Sequence, residues 1–169
     1  LSTRSVDQAR NLAITARRAI MEVEVEAAGR VRPYPGVQEM LARLRAAGIH
    51  VGIVTRNCRE AVQRVLGHSP LQFDALLTRD DVSCVKPDPG HLRAALAAMR
   101  AEGTRVLMCG DHPMDVAAGK AIGALTAAVR TDAISLERLT GAAPDLILER
   151  VTDLVDHLEL YGCRLEVGP

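Results

Sequence analysis

This sequence of 169 residues has few aromatic rings, a formal net charge of zero and no long apolar run. It contains no Trp, two Tyr and one Phe, so few rings can stack on the bases of single-stranded nucleic acid. Lys plus Arg is 21 and Asp plus Glu is 21, so no strong field attracts DNA or an anionic membrane. No stretch approaches the roughly 18 consecutive apolar residues that span a bilayer. We therefore expect neither a nucleic-acid nor a membrane partner.

Paired cysteines and clustered histidines are missing as well. Cys58, Cys84, Cys109 and Cys163 lie in separate segments and form no Cys-x-x-Cys pair. The five histidines show neither His-x-His nor His-Glu-x-x-His spacing, which argues against a zinc site. We expect free thiols in a protein of the reducing cytoplasm.

What the sequence does contain is a regular alternation of helical and β-branched segments. Helices are predicted at 6–28, 37–47, 57–67, 88–101, 113–122 and 151–160, and strands at 49–55, 73–78, 105–110, 124–129 and 144–149. This alternation is typical of α/β proteins with a parallel sheet and helices on both faces. Ligands of such proteins bind beyond the carboxyl ends of the strands. The residues at the strand ends are therefore the candidates for a site.

Local signals mark three of the helix starts. Asn57 and Glu60 have the spacing of a capping box. Asp88 and Pro89 fit the N-cap and the first helical position, and Pro113 fits the first position of the next helix.

The first strand ends at Thr55, which Arg56 and Asn57 follow. A hydroxyl there, together with backbone N–H groups at a helix start, can hold a phosphate group. The alternative is a plain strand end followed by an N-cap, which is favoured if Thr55 is taken alone. Arg56 either contacts a substrate or points to solvent.

Lys86 follows the second strand in the stretch VKPDPG, directly before a proline-rich helix start. A lysine held in this way is a fixed positive charge for an anionic group. The alternative is a solvated surface lysine, which is again favoured if the residue is taken alone.

The stretch VLMCGDHPMD ends the third strand and opens a helix, with Asp111 after Gly110 and Asp115 one helical turn later. Gly110 allows the backbone a tight turn. Asp111 can present a carboxylate oxygen to a hard cation such as Mg²⁺. Asp115 either supports that metal or complements the helix dipole, and it can do both. We expect His112 to be a loop residue, because Mg²⁺ prefers oxygen ligands.

The order and spacing of these residues are more informative than any single one of them. Lys86 lies 31 residues after Thr55, and Asp111 lies 25 residues after Lys86. A phosphate binder, a charge neutraliser and ligands for Mg²⁺ are the parts that a phosphoryl-transfer site needs.

The same segments resemble three motifs of the haloacid dehalogenase superfamily, on its phosphatase side. PYPGVQEMLARLRAAGIHVGIVTRN is similar to the segment that carries motif II, VKPDPGHLRAAL to motif III, and VLMCGDHPMDVAAGKAIGALTAAV to motif IV. The resemblance covers about residues 33–150 and is nearest to the phosphoglycolate phosphatase-like group. It implies a Rossmann-like, doubly wound α/β fold. It divides the chain into the C-terminal part of a helical cap (1–30), an α/β core (31–160) and a tail (161–169).

The resemblance implies a Mg²⁺-dependent phosphatase that hydrolyses a small phosphomonoester through an aspartyl-phosphate. By that resemblance, Thr55 and the amides near Arg56 and Asn57 hold the phosphoryl oxygens. Lys86 neutralises charge and orients the nucleophile. The metal ligands are Asp111, supported by Asp115. The resemblance does not define the oligomeric state.

The superfamily's first motif, Asp-x-Asp-x-(Thr/Val), has no counterpart, since no two aspartates in the sequence are separated by one residue. In the superfamily its first Asp is the nucleophile, and its strand lies between the strands that carry motifs II and IV. We therefore expect a gap at the centre of the sheet. We also expect that the natural protein has residues before Leu1 that include this motif.

Two other functions remain open at this point. A non-catalytic binding or scaffold protein could keep the fold and lack the nucleophile, as the literal sequence does. A phospho-acceptor signalling domain would need an acidic cluster after its first strand, and the sequence shows none there.

Overall fold

A computed structural model describes residues 3–160 of the chain, which fall into two compact units. The first, called the helical unit here, runs up to Pro33 and includes Asn57–Pro70. The second, the sheet unit, comprises Tyr34–Arg56 and continues from Leu71. The predicted tail, 161–169, lies outside the described residues. Within the described residues, none of the helices combines the length and the apolar character needed to cross a membrane.

Seven α-helices, five strands and one short 3₁₀ helix make up the described chain. The α-helices are α1 (Thr3–Ala28), α2 (Val37–Ala46), α3 (Arg59–His68), α4 (Gly90–Met99), α5 (Pro113–Ala121), α6 (Leu136–Gly141) and α7 (Leu154–Leu160). The strands are β1 (Gly52–Val54), β2 (Ala75–Leu77), β3 (Leu107–Gly110), β4 (Leu125–Val129) and β5 (Leu146–Leu148). The 3₁₀ helix, Val151–Asp153, directly precedes α7.

The helical unit consists of α1 and α3, whose contact is made by small and β-branched apolar residues. Its buried members are Ala28, Cys58 and Ala61. The capping box predicted for Asn57 and Glu60 is wrong, because α3 starts one residue later with Cys58 as its N-cap and no side-chain cap bond. The Cys58 amide instead donates to Glu24 Oε2 on α1 at 3.0 Å. A tertiary contact thus takes the place of the expected local cap.

All the strand pairs of the sheet unit are parallel, as the alternation predicts. β1 pairs with β2, in register from Gly52 opposite Ala75. β3, β4 and β5 form a three-stranded sheet in that order. Within the described residues β1 and β3 do not pair, so the sheet is interrupted between them. This interruption agrees with the gap expected at the centre of the sheet, and the strand expected to fill it stays a prediction.

Helices cover both faces of the three-stranded sheet because side chains alternate along β4. Ala127 and Val129 pack on one face against α2 and α7, in a core of aliphatic side chains. Ala128 points to the other face, where it contacts Val116 of α5 and Leu139 of α6. α4 packs against β1 and β2. The predicted α/β fold with a doubly wound parallel sheet is confirmed.

Element boundaries differ from the predictions in specific places. Each strand is shorter than its apolar run. α4 starts at Gly90 with Pro89 as the N-cap, one residue later than predicted, although the Asp88 side chain does accept from the Gly90 amide at 2.7 Å. α5 begins at Pro113, as predicted. α6 was not predicted; its six residues are too few to show a period, and it is held by Leu139, which is fully buried.

Candidate functional site

Lys86 is the central residue of the site, and the surface-lysine alternative is wrong. Its Nζ lies 2.8 Å from Asp115 Oδ1, and the two side chains are each 9% exposed. The same Nζ donates to the Val54 carbonyl at 2.8 Å. Val54 ends β1, whereas Asp115 lies on the helix that follows β3. Lys86 therefore connects the two strands that border the gap.

Asp115 has both of its carboxylate oxygens engaged. Oδ1 pairs with Lys86, and Oδ2 accepts from the His112 amide at 3.2 Å. His112 is the N-cap of α5, and its Nδ1 accepts from the Met114 amide at 3.1 Å, which completes a capping box. Asp115 thus caps the helix and holds the lysine at once, and His112 is a capping residue of the loop.

Gly110 is required for space beside Asp115. A Cβ atom added to Gly110 would lie 2.7 Å from Asp115 Cβ, closer than real Cβ atoms come to one another. The φ angle of Gly110 is not among the positive ones, so the tight turn expected at this glycine is not what demands it. The missing side chain lets the Asp115 carboxylate pack against the end of β3.

Asp111 is exposed at the end of β3. Within the described residues its carboxylate makes no hydrogen bond or ion pair.

Burial, with the nearby charges of Asp115 and Asp111, raises the pKa of the Cys109 thiol to about 11. Cys109 is therefore protonated at neutral pH and does not serve as a thiolate nucleophile.

Thr55 continues the β1–β2 pairing by one residue, since its amide donates to the Leu77 carbonyl at 2.9 Å. It directly follows Val54, whose carbonyl binds Lys86. Arg56 is exposed, and its carbonyl accepts from Arg79 Nη1 at 3.4 Å. Asn57 is exposed and belongs to the helical unit. The sheet unit therefore brings Thr55 close to Lys86, and Lys86 to Asp115.

The donor chemistry of the site suits a hard cation only in part. No group of three or more His, Cys, Asp or Glu side chains suited to a metal exists within residues 3–160. Asp111 offers a carboxylate of the kind that Mg²⁺ binds. Asp115 already pairs with Lys86 and caps α5. Asp111 thus suits the role of a Mg²⁺ ligand, with Asp115 in a supporting role. The other oxygen ligands of the metal have to come from other groups.

The strands that border the gap are less buried than the strand at the centre of the three-stranded sheet. In β1, Gly52 is exposed and the other two residues are half-buried, and all four residues of β3 are half-buried. In β4 four of the five residues are buried. Parallel sheets normally have both faces covered and their inner strands buried. The burial pattern matches a sheet that lacks one inner strand.

Sequence reasoning missed His91 as a part of the site. His91 lies in the first turn of α4, is fully buried, and accepts from the Lys86 amide through Nδ1 at 3.4 Å. Its position on the apolar face of α4, one residue before Leu92 and four before Ala95, is typical of a core residue. The signal in the sequence was a histidine five residues after Lys86, at a position of the apolar face of α4.

Comparison with known proteins agrees with the three motifs. The model of the haloacid dehalogenase-like hydrolase family matches residues 3–129. The chain is 37% identical over 127 residues to a protein named pyrophosphatase PpaX from Bacillus velezensis, covering 74% of this chain and 59% of that one. The chain thus spans about three-fifths of the length of the curated relatives it matches.

Solved structures share the fold. A HAD phosphatase from Thermococcus onnurineus superposes with a TM-score of 0.64 at 26% identity, covering 74% of this chain and 57% of that one. A hydrolase from Pseudomonas syringae superposes with a TM-score of 0.70 at 22% identity, covering 95% of this chain and 74% of that one. The second likeness concerns the fold alone.

Proposed function

The chain belongs to the haloacid dehalogenase-like hydrolases, with phosphoglycolate phosphatase-like motifs, and we propose that it carries most of the site of a Mg²⁺-dependent phosphatase acting on a small phosphomonoester. One observation carries the proposal: Lys86 Nζ is held between Val54 O and Asp115 Oδ1, at 2.8 Å from each. A buried ammonium fixed at the carboxyl end of a parallel strand suits a dianionic phosphoryl group.

The proposed reaction uses a carboxylate from a strand that fills the gap between β1 and β3. An oxygen of that carboxylate attacks phosphorus, the bond from phosphorus to the substrate oxygen breaks, and the leaving oxygen takes a proton from the second carboxyl group of the same Asp-x-Asp pair. Water then gives a proton back to that second carboxylate, attacks the phosphorus of the aspartyl-phosphate, releases inorganic phosphate and regenerates the first carboxylate. A bound Mg²⁺ supplies charge compensation for the phosphoryl oxygens.

The residues of this chain have binding and positioning roles in that reaction. Thr55 and the backbone near Arg56 bind phosphoryl oxygens at the end of β1. Lys86 offsets the phosphoryl charge, and Asp115 holds Lys86 in place. Asp111 provides an oxygen to Mg²⁺. The role of Asn57 in binding the phosphoryl group stays a prediction.

The strand that fills the gap comes, in this proposal, from residues outside the 169, on the same polypeptide or on another. Three facts support it: the sequence has no Asp-x-Asp, β1 and β3 do not pair within the described residues, and both are only partly buried. We also propose that 31–160 are the catalytic core, that 1–30 belong to a cap and that the protein works in the cytoplasm.

The relatives' name, pyrophosphatase, suggests a second substrate class to include in any assay. Inorganic pyrophosphate presents the same terminal phosphoryl group as a phosphomonoester, with phosphate as the leaving group. A site that binds a terminal phosphoryl group could accept either.

The test is hydrolysis of p-nitrophenyl phosphate and of inorganic pyrophosphate by the protein purified from the cells that make it. Turnover that requires Mg²⁺, stops with EDTA and is lost in Lys86→Met supports the phosphatase. Lys120→Met is the matched control, because Lys120 is exposed on α5 and its Nζ donates to the Ala142 carbonyl at 3.1 Å. Binding of phosphate without turnover would support the non-catalytic scaffold instead.

A further inference from the structure

The loop that carries Lys86 is held by the residues that follow it. The Asp88 amide donates to the Val85 carbonyl at 3.1 Å, and the Asp88 carboxylate accepts from the Gly90 amide at 2.7 Å. The Lys86 amide donates to His91 Nδ1 at 3.4 Å. His91 is thus the side chain that binds the backbone of Lys86 itself.

His91 can make this bond only in one protonation state. Nδ1 accepts a hydrogen bond from the Lys86 amide, so it carries no proton of its own, and the proton of the neutral ring lies on Nε2. Nε2 is buried and, within the described residues, has no hydrogen-bond partner. A protonated ring would direct a second N–H toward the Lys86 amide and would place a positive charge beside the lysine.

The surroundings of the imidazole favour its neutral form. Burial lowers the pKa of His91 below its ordinary value, and the positive charge of Lys86 lowers it further. The backbone carbonyls of Leu77 and Thr78 and the charge of Asp81 act in the opposite direction without reversing the result. Asp81 is itself fixed, because its Oδ2 accepts from Thr78 Oγ1 at 2.6 Å.

We propose that His91 is a positioning residue, whose neutral imidazole holds the Lys86 backbone so that the ammonium reaches Val54 and Asp115, and whose protonation releases it. The inference concerns a residue other than Thr55, Lys86, Asp111 and Asp115. Only one of its consequences rests on the proposed function, namely that turnover falls when Lys86 moves.

The first experiment follows nitrogen-15 resonances of the intact protein from about pH 8 to about pH 4.5, across the usual range of histidine titration. We expect His91 to show the Nε2–H tautomer at neutral pH. We expect the Lys86 amide resonance to shift when His91 protonates, at a pH below the titration of an ordinary histidine. A His91 ring protonated on Nδ1 at neutral pH, or a Lys86 amide that ignores its titration, would overturn the inference. This readout requires no turnover, so it stays informative if the protein is not a phosphatase.

Two variants separate positioning from packing. His91→Asn keeps an acceptor oxygen near the position of Nδ1 and cannot titrate, whereas His91→Leu fills the space without an acceptor. In the active protein we expect His91→Asn to keep most of kcat and to lose the fall in kcat on acidification. We expect His91→Leu to lower kcat about tenfold with a small change in KM, because a modest displacement of a positioned group is costly. His50→Asn, at an exposed histidine, is the control.

Equal losses in His91→Asn and His91→Leu would overturn the inference, because the two variants differ in the acceptor. If either variant fails to fold, the titration of the unsubstituted protein still decides. If the Lys86 amide follows His91 but the protein never hydrolyses a phosphate ester, the positioning role stands and the phosphatase proposal fails.

Discussion

Lys86 and Asp115 form a buried ion pair that joins the two sides of an interrupted sheet. The distance from Nζ to Oδ1 is 2.8 Å, and each side chain is 9% exposed. Removing two charges from water is costly, and the pair is compensated by further hydrogen bonds to Val54 O and from the His112 amide. The burial of an ion pair is therefore only weak evidence that the pair stabilises the fold. The pair suits a role that depends on its charge and its position.

The ion pair makes a prediction about stability. Lys86→Met leaves the Asp115 carboxylate buried without its cation, so we expect the free energy of unfolding to fall by about 3–5 kcal/mol. Adding Asp115→Asn should recover much of that loss, because the neutral amide has a smaller cost of burial. Urea unfolding of the single and double variants measures both effects. A loss in Lys86→Met no larger than that in Lys120→Met would contradict the prediction.

Gly110 makes a second prediction. Gly110→Ala places a Cβ 2.7 Å from Asp115 Cβ, so the carboxylate or the end of β3 has to move. We expect the free energy of unfolding to fall by about 1–3 kcal/mol, as in other overpacked sites. Gly141→Ala is the control, since a Cβ there would meet nothing within 4 Å. Thermal unfolding that shows equal stability for the two variants would argue against the close packing.

Asp145 makes a prediction about pH. Its Oδ2 accepts from the Thr126 amide at 2.8 Å and from Thr126 Oγ1 at 2.7 Å, and these bonds lower the pKa of Asp145. The folded pKa lies below the unfolded value of about 3.9, so the stabilisation is present above that pH and is lost as pH falls through the folded pKa. Asp145→Asn should therefore be less stable than the unsubstituted protein at neutral pH, and the difference should shrink as the pH falls through the folded pKa.

The measurement for Asp145 is the urea midpoint at several pH values. Asp132→Asn, in the exposed turn after β4, should follow the unsubstituted protein throughout. A midpoint difference for Asp145→Asn that stays constant down to the lowest pH would show that the carboxylate charge is not involved.

A substitution at Asp111 is predicted to affect activity but not stability. Because its carboxylate is exposed and unpaired within the described residues, Asp111→Asn should change the free energy of unfolding by no more than about 0.5 kcal/mol. The same change should remove most Mg²⁺-dependent turnover. Asp156→Asn, exposed on α7, should alter neither quantity. Full activity in Asp111→Asn would exclude this residue as a metal ligand.

The sequence predicted those parts of the fold and site that depend on local pattern. The alternation of segments predicted the parallel sheet, and the absence of Asp-x-Asp predicted the interruption between β1 and β3. Thr55, Lys86 and Asp115 were named from their positions at strand and helix ends, and the sheet unit brings them together.

The rest depends on contacts between distant residues, which no local pattern encodes. The pairing of Lys86 with Asp115 spans 29 positions of the chain. The amide of Cys58, the N-cap of α3, donates to Glu24, which lies 34 residues earlier in the chain. His91 has the spacing of a core residue, and only the fold reveals that its Nδ1 meets the Lys86 amide.

In our proposal a strand from outside these 169 residues completes the site, and the direct test of that strand is the intact mass of the protein purified from its own cells. The chain alone is 18.1 kDa. We predict a heavier species whose additional sequence carries an apolar strand ending in Asp-x-Asp, or a second polypeptide that carries it. A monomer of 18.1 kDa that hydrolyses phosphomonoesters with Mg²⁺ would overturn the proposal of an added strand, because the nucleophile would then lie within this chain.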